Sequence, residues 1–398
     1  MPKINKRQTA TLALIGSLGP FQFDMYLPAL PALMLFMHTS DTMVQLTITA
    51  SLLGMASGQL LVGPIIDALG RRRPLIIALS VFILSSIACL AATNIIWMIV
   101  ARFALGFSAA GGFVINNAFI RDVAAGKDAS KLYSTQAAIS SLAPIAAPLV
   151  GGQLLLLGDW HVMFIFLTVL GAGVLSMAVA LMPESLPFEE RAPLGFRSTF
   201  SSWGSLVRDK RYVSLALVSG MIFGEICVFI SGAPFALEGE FKLTPTQYTF
   251  AFACVTMLMF GASALNRTLL QKFASITMLR FGLTLALISA VYFEALTVLG
   301  LHGLVTTVFG FALAVSTMSL SMSNIMGLAM RDHGDRAGTA AGLMGFSNSM
   351  IGAAVAPLTG VFFGLTVVGV TSFMSLFLFV AAVLGFTALR KEKGAVLA

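Results

Sequence analysis

Charge is what this chain lacks. Only 10% of its 398 residues are Asp, Glu, Lys or Arg, against 58% hydrophobic, whereas an ordinary soluble domain carries about 25% charge and about 45–50% apolar residues. That is too little charge to coat a globule of this length, and with a mean hydropathy of +0.93 most of the surface must meet lipid. Cysteine is scarce as well. Cys89, Cys227 and Cys254 each fall inside an apolar run, so they read as small buried hydrophobes rather than a disulfide or metal framework. The 4 His (His38, His161, His302, His333) lie in loops or at helix ends without ligand spacing, and no G-x-x-x-x-G-K-[ST] loop occurs. Neither a metal nor direct ATP hydrolysis is expected. No nucleophile and base stand in register, so neither an enzyme nor a cofactor is expected.

Long apolar runs are present in quantity. They are predicted near 9–35, 44–67, 74–93, 95–119, 132–157 and 160–182, then near 212–237, 245–267, 276–299, 301–327, 337–362 and 365–389. Each reaches the roughly 18–20 residues that cross about 30 Å of hydrocarbon as a helix. The expected fold class is therefore an all-α membrane protein with twelve transmembrane helices. The first run is too long for a signal-peptide core and lacks a small-residue cleavage site, so it is expected to be retained.

One long polar connection, Pro183 to Lys210, divides these runs into two sets of six. The expected organisation is an N-terminal six-helix bundle over 1–183, a cytoplasmic linker over 184–210 and a C-terminal six-helix bundle over 211–398. The halves echo each other. "RDVAAGKD" (Arg121 to Asp128) precedes "APLVGG" (Ala147 to Gly152) much as "RDHGDRAG" (Arg331 to Gly338) precedes "APLTGV" (Ala356 to Val361), and "YLPAL" in the first span has a partner in "APFAL" of the seventh. Three matches in one order favour duplication. A six-plus-six repeat is an arrangement in which a central cavity opens alternately to either side as the halves rock.

The net charge of +7 raises the question of nucleic acid. With the N-terminus inside, every one of the 24 Lys and Arg except Lys242 and Arg102 falls on the cytoplasmic side. That asymmetry predicts a multi-pass protein with both termini cytoplasmic. Charges dispersed over short loops, without aromatics between them on one face, exclude a nucleic-acid partner.

Three ionisable residues fall inside spans. Asp24, in "FQFDMYLPALP", lies roughly 14 Å below the outer surface when counted from Leu33 at about 1.5 Å per residue. An acid at such depth normally faces a cavity or a partner and marks an ion or substrate path; the structural alternative is a hydrated cap beside Pro28 and Pro31. Arg102 lies roughly 10 Å deep by the same count. It either shares a cavity with Asp24 or bonds the main-chain carbonyls of the first helix. Glu225, in "SGMIFGEICVF", is a second candidate for proton or substrate binding, or else a hydrogen-bonded structural group beside Gly220 and Gly224. Glu294, near the outer end of its span, reads as interfacial.

Two further segments carry roles of another kind. In "GPIIDALGRRR", Gly63 would permit close helix approach, Gly70 would make the turn, and Arg71, Arg72 and Arg73 would anchor at headgroups. Asp67 beside this cluster could form a charge latch, made in one conformation and broken in another; topogenic charge alone would need neither the Asp nor the glycines. Ala147, Pro148, Gly151 and Gly152 combine a missing main-chain donor with side-chain-free positions, which suits either a hinge contact or plain packing. Gly54, Gly58 and Ser108 to Gly112 read as helix contacts.

These motifs resemble those of the major facilitator superfamily, and within it the twelve-helix drug:proton antiporters. Gly63 to Arg72 is similar to the family's G-x-x-x-D-x-x-G-R-R loop, Arg102 with Gly106 to its R-x-x-x-G motif, and Ala147 to Gly152 to its G-P-x-x-G-G antiporter motif. "DMYLPALP", "RD" at Arg121 and Asp122, and "SGAPF" resemble the Bcr/CflA branch for bicyclomycin and chloramphenicol resistance. Ala147 and Leu105 depart from the usual Gly and Gln. The resemblance implies efflux of small amphipathic drugs driven by inward protons across a bacterial inner membrane, by a monomer, with Asp24 binding proton or substrate and with Asp67 and Arg71 controlling the conformational equilibrium. Export or uptake of a nucleoside or sugar by the same fold is the alternative; convergence of Asn116, Asn117 and Gln136 would favour it. A receptor or scaffold would call for a soluble domain or a signalling tail.

Overall fold

Pro28 and Pro31 shape the start of the chain. Neither has an N–H, so the bonds that would run back to the carbonyls of Asp24 and Leu27 cannot form. In the computed structural model, which describes residues 6–123, 132, 142–191, 203–331 and 337–390, the expected first span is accordingly two helices. α1 (Lys6–Asp24) ends at the acid, a turn at Met25 and Tyr26 leads into a 3-10 turn at Leu27–Ala29, and α2 (Leu30–Phe36) completes the crossing.

The other spans, apart from the start of the fifth, fall within about four residues of their expected bounds, the usual error of hydropathy reading. They are α3 (Asp41–Leu69), α4 (Arg72–Leu90), α5 (Ile95–Val123), α6 (Leu142–Leu154), α7 (His161–Leu181), α8 (Lys210–Glu240), α9 (Pro245–Leu269), α10 (Ser275–Leu299), α11 (Leu304–Met330), α12 (Ala337–Leu358) and α13 (Val367–Arg390). Among the described residues every regular element is a helix and 10 helices are long and apolar enough to cross a bilayer. The protein is thus an all-α, multi-pass membrane protein. The first part of the fifth span, 133–141, lies outside the described residues, as do Gln136, the inner part of the linker and most of the "RDHGDRAG" repeat.

Local signals set the ends. Ser40 Oγ accepts from Met43 N at 3.3 Å to start α3, the Asp209 carboxylate accepts from Arg211 N at 2.8 Å to start α8, and Thr244 with Gln247 forms a reciprocal capping box on α9. Gly300, in the left-handed region, closes α10.

The chain divides into two compact units, Met1–Thr199 and Phe200–Ala398. In the first, α3 and α5 approach until side chains are excluded. A Cβ on Gly106 would collide with the Ser51 carbonyl oxygen and one on Gly54 with that of Phe103. The approach expected at Gly63 is not found, since a Cβ there would meet nothing within 4 Å. Nine residues from Gly54 is half a turn round the helix, at about 100° per residue, so Gly63 lies on the face away from α5.

In the second unit α8 packs against α12 and α13. Its seventh-span counterpart of "YLPAL" carries one proline, Pro234, and runs unbroken through all 31 residues. The sequence repeat therefore does not extend to the break, which takes two prolines. Tyr212, at the start of α8, donates its hydroxyl to the Ala340 carbonyl at 2.6 Å and ties α8 to α12.

Candidate functional site

The end of α1 and the middle of α5 meet in a buried polar network. Arg102 is wholly buried, and its Nη1 donates to the Gln22 carbonyl at 2.7 Å and to Gln22 Oε1 at 3.1 Å. Ser51 Oγ donates to the same Oε1 at 3.0 Å, so one glutamine gathers α1, α3 and α5. The guanidinium lies 4.4 Å from the ring centre of Tyr26, whose hydroxyl shares a hydrogen bond with Thr47 Oγ1 at 3.1 Å. Stacking on an aromatic face stabilises a cation that has lost its water. Arg102 Nε and Nη2 make no hydrogen bond, and among the described residues no acid pairs with Arg102.

Asp24 sits between these contacts in sequence but apart from them in space. Gln22 and Tyr26, four residues apart, share a helical face; Asp24, two from each, falls about 200° round from Gln22. Asp24 is 6% exposed, and its carboxyl makes no hydrogen bond or ion pair among the described residues. Of the two arrangements open for Arg102, the structure has the bond to a first-helix carbonyl. α6 closes on the same break: a Cβ on Gly151 would collide with the Met25 carbonyl oxygen, while Ala147, Pro148 and Gly152 are buried beside it. The close contact expected of the "APLVGG" segment is therefore made, against the turn that follows Asp24.

Glu225 is fully buried in α8 of the second unit, and among the described residues neither of its carboxyl oxygens has a partner, so the expected hydrogen-bonded alternative is not what is found. Gly220 and Gly224 beside it are covered by Ile351 and Phe377. Asn116 is buried too, but its amide donates to the Leu12 carbonyl at 3.0 Å and holds α5 to α1.

The ion pairs that the expected latch calls for are formed at the other end of the first unit. Arg71, 2% exposed, donates from Nε to Asp122 Oδ2 and from Nη1 to Asp67 Oδ1, both at 2.8 Å. Burial disfavours its charge, but the bonds to Asp122 and Asp67 outweigh this and hold the guanidinium above its ordinary pKa. The Glu184 carboxylate caps α4, accepting from Arg71 N at 2.7 Å and Arg72 N at 3.2 Å, while Arg72 Nη2 reaches the Val179 carbonyl at 2.9 Å. Asp122 also accepts from Ser185 Oγ at 3.0 Å. Sequence reading found Asp67 and Arg71 but missed Glu184; the signal was an acid just after α7, opposite three consecutive arginines.

Gly70 makes the turn with φ +88°. A Cβ there would lie 2.5 Å from Glu184 Oε2. Gly70→Ala is expected to cost more than about 1 kcal/mol in a thermal melt, because it adds left-handed strain to that clash.

Among the described residues no three His, Cys, Asp or Glu gather as metal ligands do. Cys89 and Cys227 are buried as expected, whereas Cys254 is exposed on α9.

Comparison with known proteins accords with this architecture. The profile of the Major Facilitator Superfamily matches residues 12–357. The chain is 34% identical to the Uncharacterized MFS-type transporter YdgK of Bacillus subtilis over 390 residues, covering 96% of this chain and 95% of that one. It is 28% identical to the Bicyclomycin resistance protein homolog of Haemophilus influenzae, covering 87% of each, and 26% identical to the Multidrug resistance protein MdtL of Klebsiella pneumoniae, covering 75% and 77%. Among solved structures, a D-xylose-proton symporter superposes with a TM-score of 0.78 at 16% identity, covering 98% of both chains, which speaks to the fold alone. The chain belongs to the Major Facilitator Superfamily and is a transporter rather than an enzyme, its relatives agreeing with the Bcr/CflA branch that its motifs resemble.

Proposed function

We propose that this transporter expels small amphipathic compounds, antibiotics among them, from the cytoplasm in exchange for protons. It would act as a monomer in a bacterial inner membrane, with both termini cytoplasmic. The names of the bicyclomycin-resistance and MdtL relatives support the substrate class. The observation that carries the coupling is Asp24: a buried carboxyl without a partner, at the interruption of α1, one residue from the carbonyl against which Gly151 packs.

In this reading Asp24 takes up and releases the proton, while Arg102 keeps a fixed positive charge on the opposite face of the same helix end. Proton loading is then what changes the charge at this point of the unit. Gln22 and Tyr26 hold Arg102 in place through the cycle, Glu225 is a second titratable position in the other unit, and the Arg71 latch sets the conformational preference of the first.

Asp24→Asn tests it. In proteoliposomes loaded with a pH dye, adding a substrate of the wild-type protein should release protons from wild type and release none above protein-free vesicles from the variant. Proton release equal to wild type would remove Asp24 from the scheme. Growth of a susceptible host on an inhibitor panel, with and without the protein, identifies the substrate to use.

A further inference from the structure

The second unit carries a groove that neither the transport reading nor the family motifs use. It runs between α10 and α13, has a volume of about 700 Å³, and is lined by Ala290, Val291, Ala295, Leu376 and Phe379 with Glu294 as its one ionisable group. That is the size range of small-molecule sites, about 300–1,000 Å³. Val291, Leu376 and Phe379 are exposed apolar side chains on helices long enough to span the bilayer, so the groove opens where lipid chains lie.

Its one acid stands at a definite depth along the membrane normal, with Val298 and Leu299 between it and the end of α10. Glu294 lies five residues before Leu299, the end of α10, and Ser372 five residues after Val367, the start of α13. At 1.5 Å per residue both are about 8 Å from the same end of the helix pair, the depth of the boundary between headgroups and acyl chains, about 5–10 Å in. From there the lining is almost wholly apolar. Phe379, twelve residues into α13, lies about 18 Å deep, near the midplane of a hydrocarbon core about 30 Å thick. Ser375, at the groove floor, is turned to the Ala290 carbonyl at 3.4 Å. Glu294 is exposed, and among the described residues its carboxylate has no hydrogen bond and no ion pair, which leaves it open to a ligand at that boundary.

We propose that this groove binds one acyl chain of an aminophospholipid, whose ammonium group donates hydrogen bonds to Glu294. The groove has the length of one leaflet, an acid at the headgroup boundary and apolar walls below it. A phosphatidylglycerol would bring an anion to that acid. The proposal is independent of what the protein transports.

Photoreactive phosphatidylethanolamine and phosphatidylglycerol, each with a diazirine on one acyl chain, are to be crosslinked in turn to the protein in nanodiscs and the adducts mapped by mass spectrometry. Phosphatidylethanolamine should label α10 and α13 along the groove about fivefold more than phosphatidylglycerol, the ratio that corresponds to roughly 1 kcal/mol for a charge-assisted contact. Glu294→Gln should bring the two to parity, and Ala295→Trp, which fills the groove, should abolish both. Equal labelling by the two lipids in wild type, or a preference that survives Glu294→Gln, would overturn the proposal. So would stronger labelling by a diazirine-bearing alkyltrimethylammonium surfactant, which would make the occupant a cationic amphiphile. Should Glu294→Gln fail to fold, the wild-type ratio alone decides.

Discussion

Gly106→Ala is expected to lower the stability of the protein by about 3 kcal/mol, the upper end for overpacking, because what the new methyl meets is main chain. The colliding atom is the Ser51 carbonyl oxygen of α3, and a carbonyl inside a helix cannot turn aside without breaking that helix. α5 must therefore back away from α3. Arg102 lies one turn before Gly106, and Ser51 holds the Gln22 oxygen that Arg102 also uses, so the same displacement loosens the network that holds Arg102. Gly111→Ala is the control on the same helix. Its Cβ would find Val62 at 3.4 Å and Ala78 at 3.6 Å, ordinary contact, and alanine is the better helix former. Thermal melts in detergent should separate the two variants clearly; indistinguishable melting would show that the α3–α5 approach is not needed.

Removal of the latch arginine ranks second. Arg71→Ala should cost about 3 kcal/mol, as expected when one partner of a buried pair is taken away and the other is left uncompensated. The burden falls on Asp122, whose side chain is 12% exposed; that of Asp67 is 50% exposed and rehydrates. Asp67→Asn should therefore cost less than about 1 kcal/mol, in the range of solvent-screened pairs. Asp122→Asn should fall near Arg71→Ala. If denaturant or thermal unfolding gives Asp67→Asn the larger effect, the assignment of weight within the latch is wrong.

Depth was legible in the sequence and direction was not. Hydropathy gave the spans, because a helix must satisfy its main chain internally across lipid whatever surrounds it. Counting residues put Asp24 and Arg102 at similar levels and so suggested a shared environment. The level of a residue says nothing about its azimuth, and Arg102 turned out to lie on the face of Gln22 and Tyr26. Glutamine and tyrosine attract no notice beside a charged residue, yet they are the ones that can hold a guanidinium without neutralising it. The latch partners were hidden for another reason: Asp122 is 51 residues from Arg71 and Glu184 is 113 away, and no periodicity links them. Gly63 misled because a glycine in a helix signals close approach only if its face meets a neighbour.

The interruption at Met25 and Tyr26 has a mechanical consequence. With Pro28 and Pro31 lacking donors, α2 can tilt against α1 without severing the ladder bonds that would otherwise stiffen a continuous rod. A joint without those ladder bonds thus lies next to a buried acid that has no partner among the described residues, and the backbone of α6 rests on it at Gly151. In the proposed scheme a proton gained or lost at that carboxyl acts beside a joint, and the expected consequence is an angular displacement of the short segment α2.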